Sequence, residues 1–192
     1  MGQKPEAEFE ARRAELTDQI ATIVLEDGLD SLALRGLAQK LSTSGRMLLY
    51  YFKTKEALVI AVMQRISERF DDILSRRVPQ GKLTPGAFLT SALEMSSDPA
   101  VAPFVGVWTE IVARGARGEQ PFQQIAQAIV AAWLDWIAAQ LVPTDPDGDR
   151  ARAAAILSIV EGTLLVEAAR PGSTTTARVF LSSLLDLQAE AL

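Results

Sequence analysis

Apolar residues in this chain recur at intervals of three and four, and no stretch alternates Val, Thr or Tyr with polar residues as a half-buried strand requires. Ala, Leu, Glu, Arg and Gln dominate, residues that favour helices. The chain is therefore expected to be all-α. Pro85, Pro99, Pro121, Pro146 and Pro171 fall at the edges of the periodic stretches, where a missing N–H is tolerated. The pattern predicts nine helices. The first three run from about Glu6 to Glu26, Leu34 to Leu41 and Ser44 to Tyr51. The fourth is capped by Thr54 and ends near Val78. The rest span Pro85 to Ser97, Pro99 to Arg117, Glu119 to Val142, Asp149 to Arg170 and Thr174 to Ala191. In the first helix Phe9, Leu16, Ile20, Ile23 and Val24 mark an apolar face, and Gly28 is expected to close it as a C-terminal cap. Pro79-Gln80-Gly81 breaks the chain, and Asp145-Pro146-Asp147-Gly148 is the strongest turn signal of the second half.

What the chain lacks excludes several chemistries. It has no Cys and no His. Disulfides, thiol nucleophiles and His-based triads are thereby ruled out, and zinc loses its usual ligands. No cofactor is expected. An enzyme would have to use carboxylate, Lys, Tyr or Ser chemistry, and no Asp/Glu pair is spaced inside an apolar helix as a helical hydrolase would need. The longest uncharged stretch, Gln120 to Leu134, carries four Gln. It is too short for a membrane span, which takes about 18 or more apolar residues. The N-terminus MGQKPEAEFEARR has no apolar signal core, so a cytoplasmic location is expected.

Charge is unevenly spread. The chain carries a net −5, yet between Ser31 and Glu56 stand Arg35, Lys40, Arg46, Lys53 and Lys55 against Glu56 alone. Short windows fluctuate, and a solvated face would look the same. This island, however, coincides with two short helices joined by the Ser42-Thr43 turn. Leu34, Leu37, Ala38 and Leu41 form one apolar stripe, and Leu48 and Phe52 share a face four residues apart. The opposite face offers Thr43, Ser44, Gly45, Arg46, Met47, Tyr50 and Tyr51. An apolar back and a polar front make a helix-turn-helix whose second helix fits the major groove of B-DNA. Neighbours on a helix diverge by about 100°, so Tyr50 and Tyr51 cannot both face one core, and at least one is expected at the DNA.

From Thr22 to Leu58 the sequence resembles the TetR (tetracycline-repressor) family of transcriptional regulators. A first helix is followed by Gly28, an Arg-x-Leu-Ala core at Arg35 to Ala38, a Ser-led helix at Ser44, an aromatic-rich end at Tyr50-Tyr51-Phe52, and Lys-Glu-x-Leu at Lys55 to Leu58. Departures are Ser42-Thr43 where the family usually has Gly-Val, and Ala33 where a Ser or Thr caps the second helix, leaving Ser31 as a substitute cap or none. Leu49 stands where many members carry a phosphate-touching Tyr, and Tyr51 where His is frequent. The resemblance implies a helix-turn-helix DNA-binding domain over residues 1–56, with its motif at about 32–51, and an effector-binding and dimerisation domain over residues 57–192. It implies a regulator, expected to be a repressor, with double-stranded operator DNA, a small-molecule effector and a second copy of the chain as partners. A helical ligand-binding or scaffold protein that does not bind DNA is the alternative.

Roles follow residue by residue. Arg35 and Lys55, at helix N-termini, are expected to pair with phosphates, and Lys53 to do so from a more mobile position. Arg46 is the candidate for bidentate reading of guanine, with Thr43, Ser44 and Met47 for other base-edge contacts and Gly45 for close backbone approach. Tyr50 is placed to supply the contact that Leu49 cannot. Specific operators are read by dimers whose recognition helices lie about 34 Å apart. Ala154, Ser158 and Gly162 repeat every four residues, and Ala177, Leu181, Leu184 and Gln188 alternate with Phe180 and Leu187, so the last helices are apolar on more than one face. Ala154, Ser158, Gly162, Ala177, Leu181 and Leu184 are the candidate dimer contacts. Met95, Phe104, Trp108, Trp133 and Trp136 are core residues or effector contacts; the resemblance favours an effector cavity. Glu161, on the stripe of Leu157, Leu164 and Leu165, is either paired, with Arg114 a candidate, or faces the ligand. Asp135 and Glu110 are expected to be exposed.

Overall fold

A computed structural model describes residues 3–77 and 81–189, with side chains described over residues 6–77 and 81–183. Among these residues the chain is all-α with nine helices. They are α1 (Gln3–Asp27), α2 (Leu34–Lys40), α3 (Gly45–Phe52), α4 (Lys55–Arg77), α5 (Pro85–Ser96), α6 (Ala102–Ala116), α7 (Phe122–Gln140), α8 (Pro146–Ala169) and α9 (Thr175–Ala189). A short 3-10 turn, Leu29–Leu32, joins α1 to α2. The break expected at Pro79-Gln80 lies outside the described residues, as do the end of α4 beyond Arg77 and the side chains of Leu184, Leu187 and Gln188.

Side-chain caps explain four of the nine helix starts among the described residues. The hydroxyl of Thr54 accepts from Ala57 N–H at 3.0 Å, and that of Thr84 from Ala87 N–H at 3.3 Å, just ahead of Pro85. Four helices start away from their expected positions, α1 among them, at Gln3 rather than about Glu6. α8 begins at Pro146 rather than Asp149, because Asp145 accepts from Gly148 N–H at 2.9 Å and so caps the helix. The segment read as a turn is thus the helix start; Asx-type residues suit both. α7 begins at Phe122 rather than Glu119, after Gly118 turns the chain with φ 77°. α6 begins at Ala102 rather than Pro99, because Asp98 holds Ala100 N–H at 2.7 Å in a tight turn.

The chain packs as two compact units. The first comprises Met1–Arg76 with Ala102–Gln127, and so takes in residues on both sides of position 56. Its core gathers Leu16, Ile20 and Val24 of α1, Leu29 and Leu32 of the turn, Leu37 of α2, Leu48 and Phe52 of α3, Leu58 and Val62 of α4, and Ile111 of α6, all buried. Asp18 ties α1 to α4, accepting from Arg65 Nε at 2.7 Å while Arg69 lies at 2.8 Å. Those hydrogen bonds, Arg69's above all, hold the Asp18 carboxyl below the usual carboxylate range.

The second unit comprises Arg77–Val101 with Ala128–Leu192. Phe88, Leu89, Leu93, Ile137, Leu141, Ala153 and Ile156 form its core, with Trp136 and Leu181 packed against it. Arg178 of α9 donates to Leu93 O at 3.1 Å and Ser97 Oγ at 2.9 Å, covering carbonyl and hydroxyl groups left at the end of α5. Glu167, near the end of α8, accepts from the Thr174 hydroxyl at 2.5 Å and from the backbone of Gly172, which holds its carboxyl below the ordinary value.

Candidate nucleic-acid interface

The helix-turn-helix forms as its residues dictate. Leu37, Leu48 and Phe52 are buried and weld α2 to α3 from behind. Thr43 N–H returns to Ala38 O at 2.9 Å, closing the turn between them. Ser42, where the resembled family uses Gly, takes φ 50°, a left-handed conformation that costs an L side chain energy. Ser42→Gly is therefore expected to stabilise the fold by about 0.5–1 kcal/mol, the left-handed penalty less glycine's extra chain entropy. A thermal melt reads this directly, and a lowered midpoint contradicts it. Ser44 caps α3, its Oγ accepting from Met47 N–H at 3.1 Å. α2 has no such cap: Ala33 holds the position, and the Ser31 hydroxyl donates instead to Gly28 O at 2.6 Å.

On the opposite side α3 is open. Arg46, Met47, Leu49 and Tyr50 are exposed, Tyr50 by 55%. Arg35, Ser44, Lys53 and Lys55 are also exposed, while Thr43, Gly45 and Tyr51 are half-buried. A Cβ placed on Gly45 would meet nothing within 4 Å, so nothing inside the chain demands glycine there. Lys40 pairs with Asp27. Among the described residues Arg35, Arg46, Lys53 and Lys55 enter no ion pair. Neither Tyr50 nor Tyr51 joins the buried core; both pack on Phe9 of α1, at ring separations of 5.5 and 5.0 Å. Lys53, read from sequence as more mobile, has its ammonium 5.5 Å from the Phe9 and Tyr50 rings and donates to Tyr50 O at 3.2 Å. Of these two neighbours Phe9, from α1, is the one invisible to local pattern.

Behind this face the 3-10 turn is gripped by α6. Glu110, expected to be exposed, is half-buried, and its Oε2 accepts from Leu29 N–H at 2.9 Å. Arg114, raised as a candidate partner of Glu161, pairs with Asp30 at 2.6 Å and lies 4.0 Å from Glu110. Its guanidinium also stacks over Phe122, 5.1 Å from the ring centroid. Beside it a cavity of about 250 Å³ is lined by Leu29, Leu32, Lys55, Val59, Arg114 and Phe122 among others. None of the six expected effector residues lines this cavity.

Those six fall in different units. Phe104 and Trp108 lie on α6 in the first, with Phe104 stacked 5.3 Å from Phe70. Met95, Trp133, Trp136 and Glu161 lie in the second, where Trp136 meets Phe88 edge-on at 5.7 Å. Asp135 is exposed. Of the candidate dimer residues, Ser158, Gly162 and Ala177 are exposed, Ala154 is half-buried, and Leu181 packs against the core of its own unit. The side chain of Leu184 is outside the described residues. The largest exposed apolar groups on these helices are Leu165 and Val166 on α8 and Val179 and Phe180 on α9, none of them among the expected dimer contacts. No helix among the described residues is long and apolar enough to cross a membrane, and none of their acidic side chains cluster as a metal site.

No family model matches the chain. It is 28% identical over 107 residues to the HTH-type transcriptional regulator BetI of Paraburkholderia phytofirmans, covering 53% of this chain and 55% of that protein. The BetI of Paraburkholderia xenovorans aligns at 27% over the same length. The chain thus spans about half the length of these curated relatives. Solved structures cover it far more fully. A Rhodococcus sp. protein assigned to the TetR family of transcriptional regulators superimposes with a TM-score of 0.67 at 23% identity, over 92% of this chain and 97% of that one. The multidrug binding protein EbrR, complexed with imidazole, gives 0.65 at 19% identity over 91% and 90%. Salmonella enterica GusR gives 0.61 at 22% over 91% and 95%. At such identities the likeness is one of fold.

Proposed function

The chain has the fold of the TetR-family transcriptional regulators, and from that premise we propose that it is a regulator that binds a palindromic DNA operator as a homodimer. We read it as a repressor, released by a small-molecule effector, and not as an enzyme. The observation that carries the reading is the open face of α3: exposed Arg46, Met47 and Tyr50 on a helix whose other side is locked into a core by Leu48 and Phe52. Such a helix presents hydrogen-bonding groups to a groove without disturbing the fold beneath. In this reading Arg35, Lys53 and Lys55 take phosphates, Arg46 reads guanine, and Thr43, Ser44, Met47, Tyr50 and Tyr51 complete the contacts, with Gly45 at the closest backbone approach.

Release needs an effector that binds the DNA-incompetent conformation better than the competent one. Phe104 and Trp108 on α6, and Met95, Trp133, Trp136 and Glu161 in the second unit, are the residues proposed for it. The imidazole complex of EbrR concerns a protein of like fold and is in keeping with a small organic ligand.

Arg46→Ala tests the assignment. Its side chain is exposed, so melting should stay unchanged, while base preference relaxes by about 1–3 kcal/mol at one operator position. Selection of duplexes from a random pool reads this out for both proteins. Unaltered discrimination overturns the role given to α3. A scaffold with no DNA function would select no consensus and show no salt-dependent binding.

A further inference from the structure

The end of α3 is built unusually. Lys53 adopts φ 67° and ψ −53°, and Thr54 N–H bonds Phe52 O at 2.8 Å across it. That is a γ-turn of positive φ, a rare and strained conformation for a residue with a side chain. The side chain it aims is not left loose. Its ammonium lies 5.5 Å from the Phe9 ring and 5.5 Å from the Tyr50 ring, and donates one hydrogen bond to Tyr50 O at 3.2 Å. Both distances fall within cation–π range. Phe9, Tyr50 and Tyr51 in turn form a closed trio of rings 5.0–5.5 Å apart. Phe9 comes from α1, far along the chain, and it is half-buried in this trio. Lys53 is exposed and enters no ion pair among the described residues. An ammonium has three donors, and the hydrogen bond to Tyr50 uses one.

We propose that Phe9 is a positioning residue for DNA binding: with Tyr50 it holds the Lys53 ammonium at a fixed point beyond the recognition helix, where that charge neutralises one phosphate of the duplex. The inference rests on the DNA-binding reading above. A cation held in place loses less freedom on meeting its anion, so the contact forms in every complex rather than in a fraction of them.

The test is a salt titration of the full chain on a duplex taken from random-pool selection. Each neutralised phosphate contributes about 0.9 to the slope of log affinity against log salt, so losing one per protomer flattens a dimer's slope by about 1.8. Phe9→Leu and Phe9→Met keep apolar bulk but remove the ring face, and each should flatten the slope by that amount. Lys53→Ala should do the same, and Phe9→Leu added to Lys53→Ala should change nothing more. Phe9→Trp, which restores a ring face, should keep the wild-type slope. Melting curves identify the folded variants, and the Lys53→Ala comparison reads the contact without touching α1. A wild-type slope in folded Phe9→Leu or Phe9→Met, or additive losses in the double variant, overturns the proposal while leaving DNA binding intact. A wild-type chain with no salt-dependent binding overturns the DNA reading and this inference together.

Discussion

A chain carrying Phe180→Glu is expected to sediment as a monomer and to lose at least about a hundredfold in operator affinity, with its melting temperature nearly unchanged. Phe180 is 65% exposed on α9 and Val179 71% exposed beside it, while Leu165 on α8 is 67% exposed. Single exposed apolar residues are ordinary; four large ones on two consecutive helices suit a surface that a second copy covers. Burying a Phe is worth about 1.5–3 kcal/mol. A two-fold axis uses the residue twice, so the substitution removes roughly 3–6 kcal/mol of association and adds two carboxylates to desolvate. A monomer keeps one recognition helix and forfeits the paired half-sites about 34 Å apart. Little folding stability is at stake, because the ring is mostly in water in the protomer.

Gly162→Leu locates the seam more sharply. A Cβ on Gly162 would meet nothing within 4 Å, so the isolated protomer accommodates leucine. Exposed Ser158 lies one turn before it, and half-buried Ala154 one turn before that. If these small residues let a partner helix approach, the leucine weakens dimerisation and spares the melt. Unchanged sedimentation of both variants would remove the dimer surface from this pair of helices.

The helix-turn-helix was legible because everything that makes it is local. Leu37, Leu48 and Phe52 are spaced for a shared core, Ser44 caps α3 from one residue upstream, and the polar front is what remains. Periodicity likewise located all nine helices among the described residues and missed four of their starts, one of them because Asp145 caps α8 where its segment reads as a turn. What could not be read are contacts made across long stretches of chain. Phe9 continues the α1 stripe seven residues ahead of Leu16, so its pattern is that of a core residue; only the fold brings Tyr50 and Lys53 beside it. Glu110 reads as a surface acid on α6, and its partner is a backbone N–H 81 residues away. Backbone groups leave no mark in a sequence. On α9 the periodicity pointed to Leu181, yet Leu181 packs inward and Val179 and Phe180 stand out, because a helix apolar on several faces does not announce which face its own core takes.

Gly28→Ala is expected to cost about 2–6 kcal/mol of folding stability, far more than a methyl group in an exposed turn. Gly28 keeps its helical bond to Val24 O at 2.9 Å, but leaves α1 with φ 78° and ψ −179°. This is not the left-handed conformation of an ordinary C-terminal cap. It belongs to the region open to glycine almost alone, and an L residue held there stores about 1–3 kcal/mol. The added Cβ would also lie 2.4 Å from Glu110 Oε1. A carboxylate on a flexible stem can retreat, but this one holds Leu29 N–H at 2.9 Å, and Leu29 is buried. Its retreat orphans that donor, for about another 1–3 kcal/mol. Two comparisons separate the parts. Gly36→Ala, in α2 where a Cβ meets nothing within 4 Å, should stabilise by roughly 0.5–1 kcal/mol, so the two Gly→Ala changes differ in sign. Glu110→Ala in the Gly28→Ala background should cost less than Glu110→Ala alone, since the bond is already broken. Denaturant titrations give all four values, and full additivity would mean that Glu110 does not restrain the turn. If the coupling is found, α6 sets the backbone that launches α2 and hence the attitude of α3, and a ligand that moved Glu110 would act on the operator through one carboxylate and one N–H.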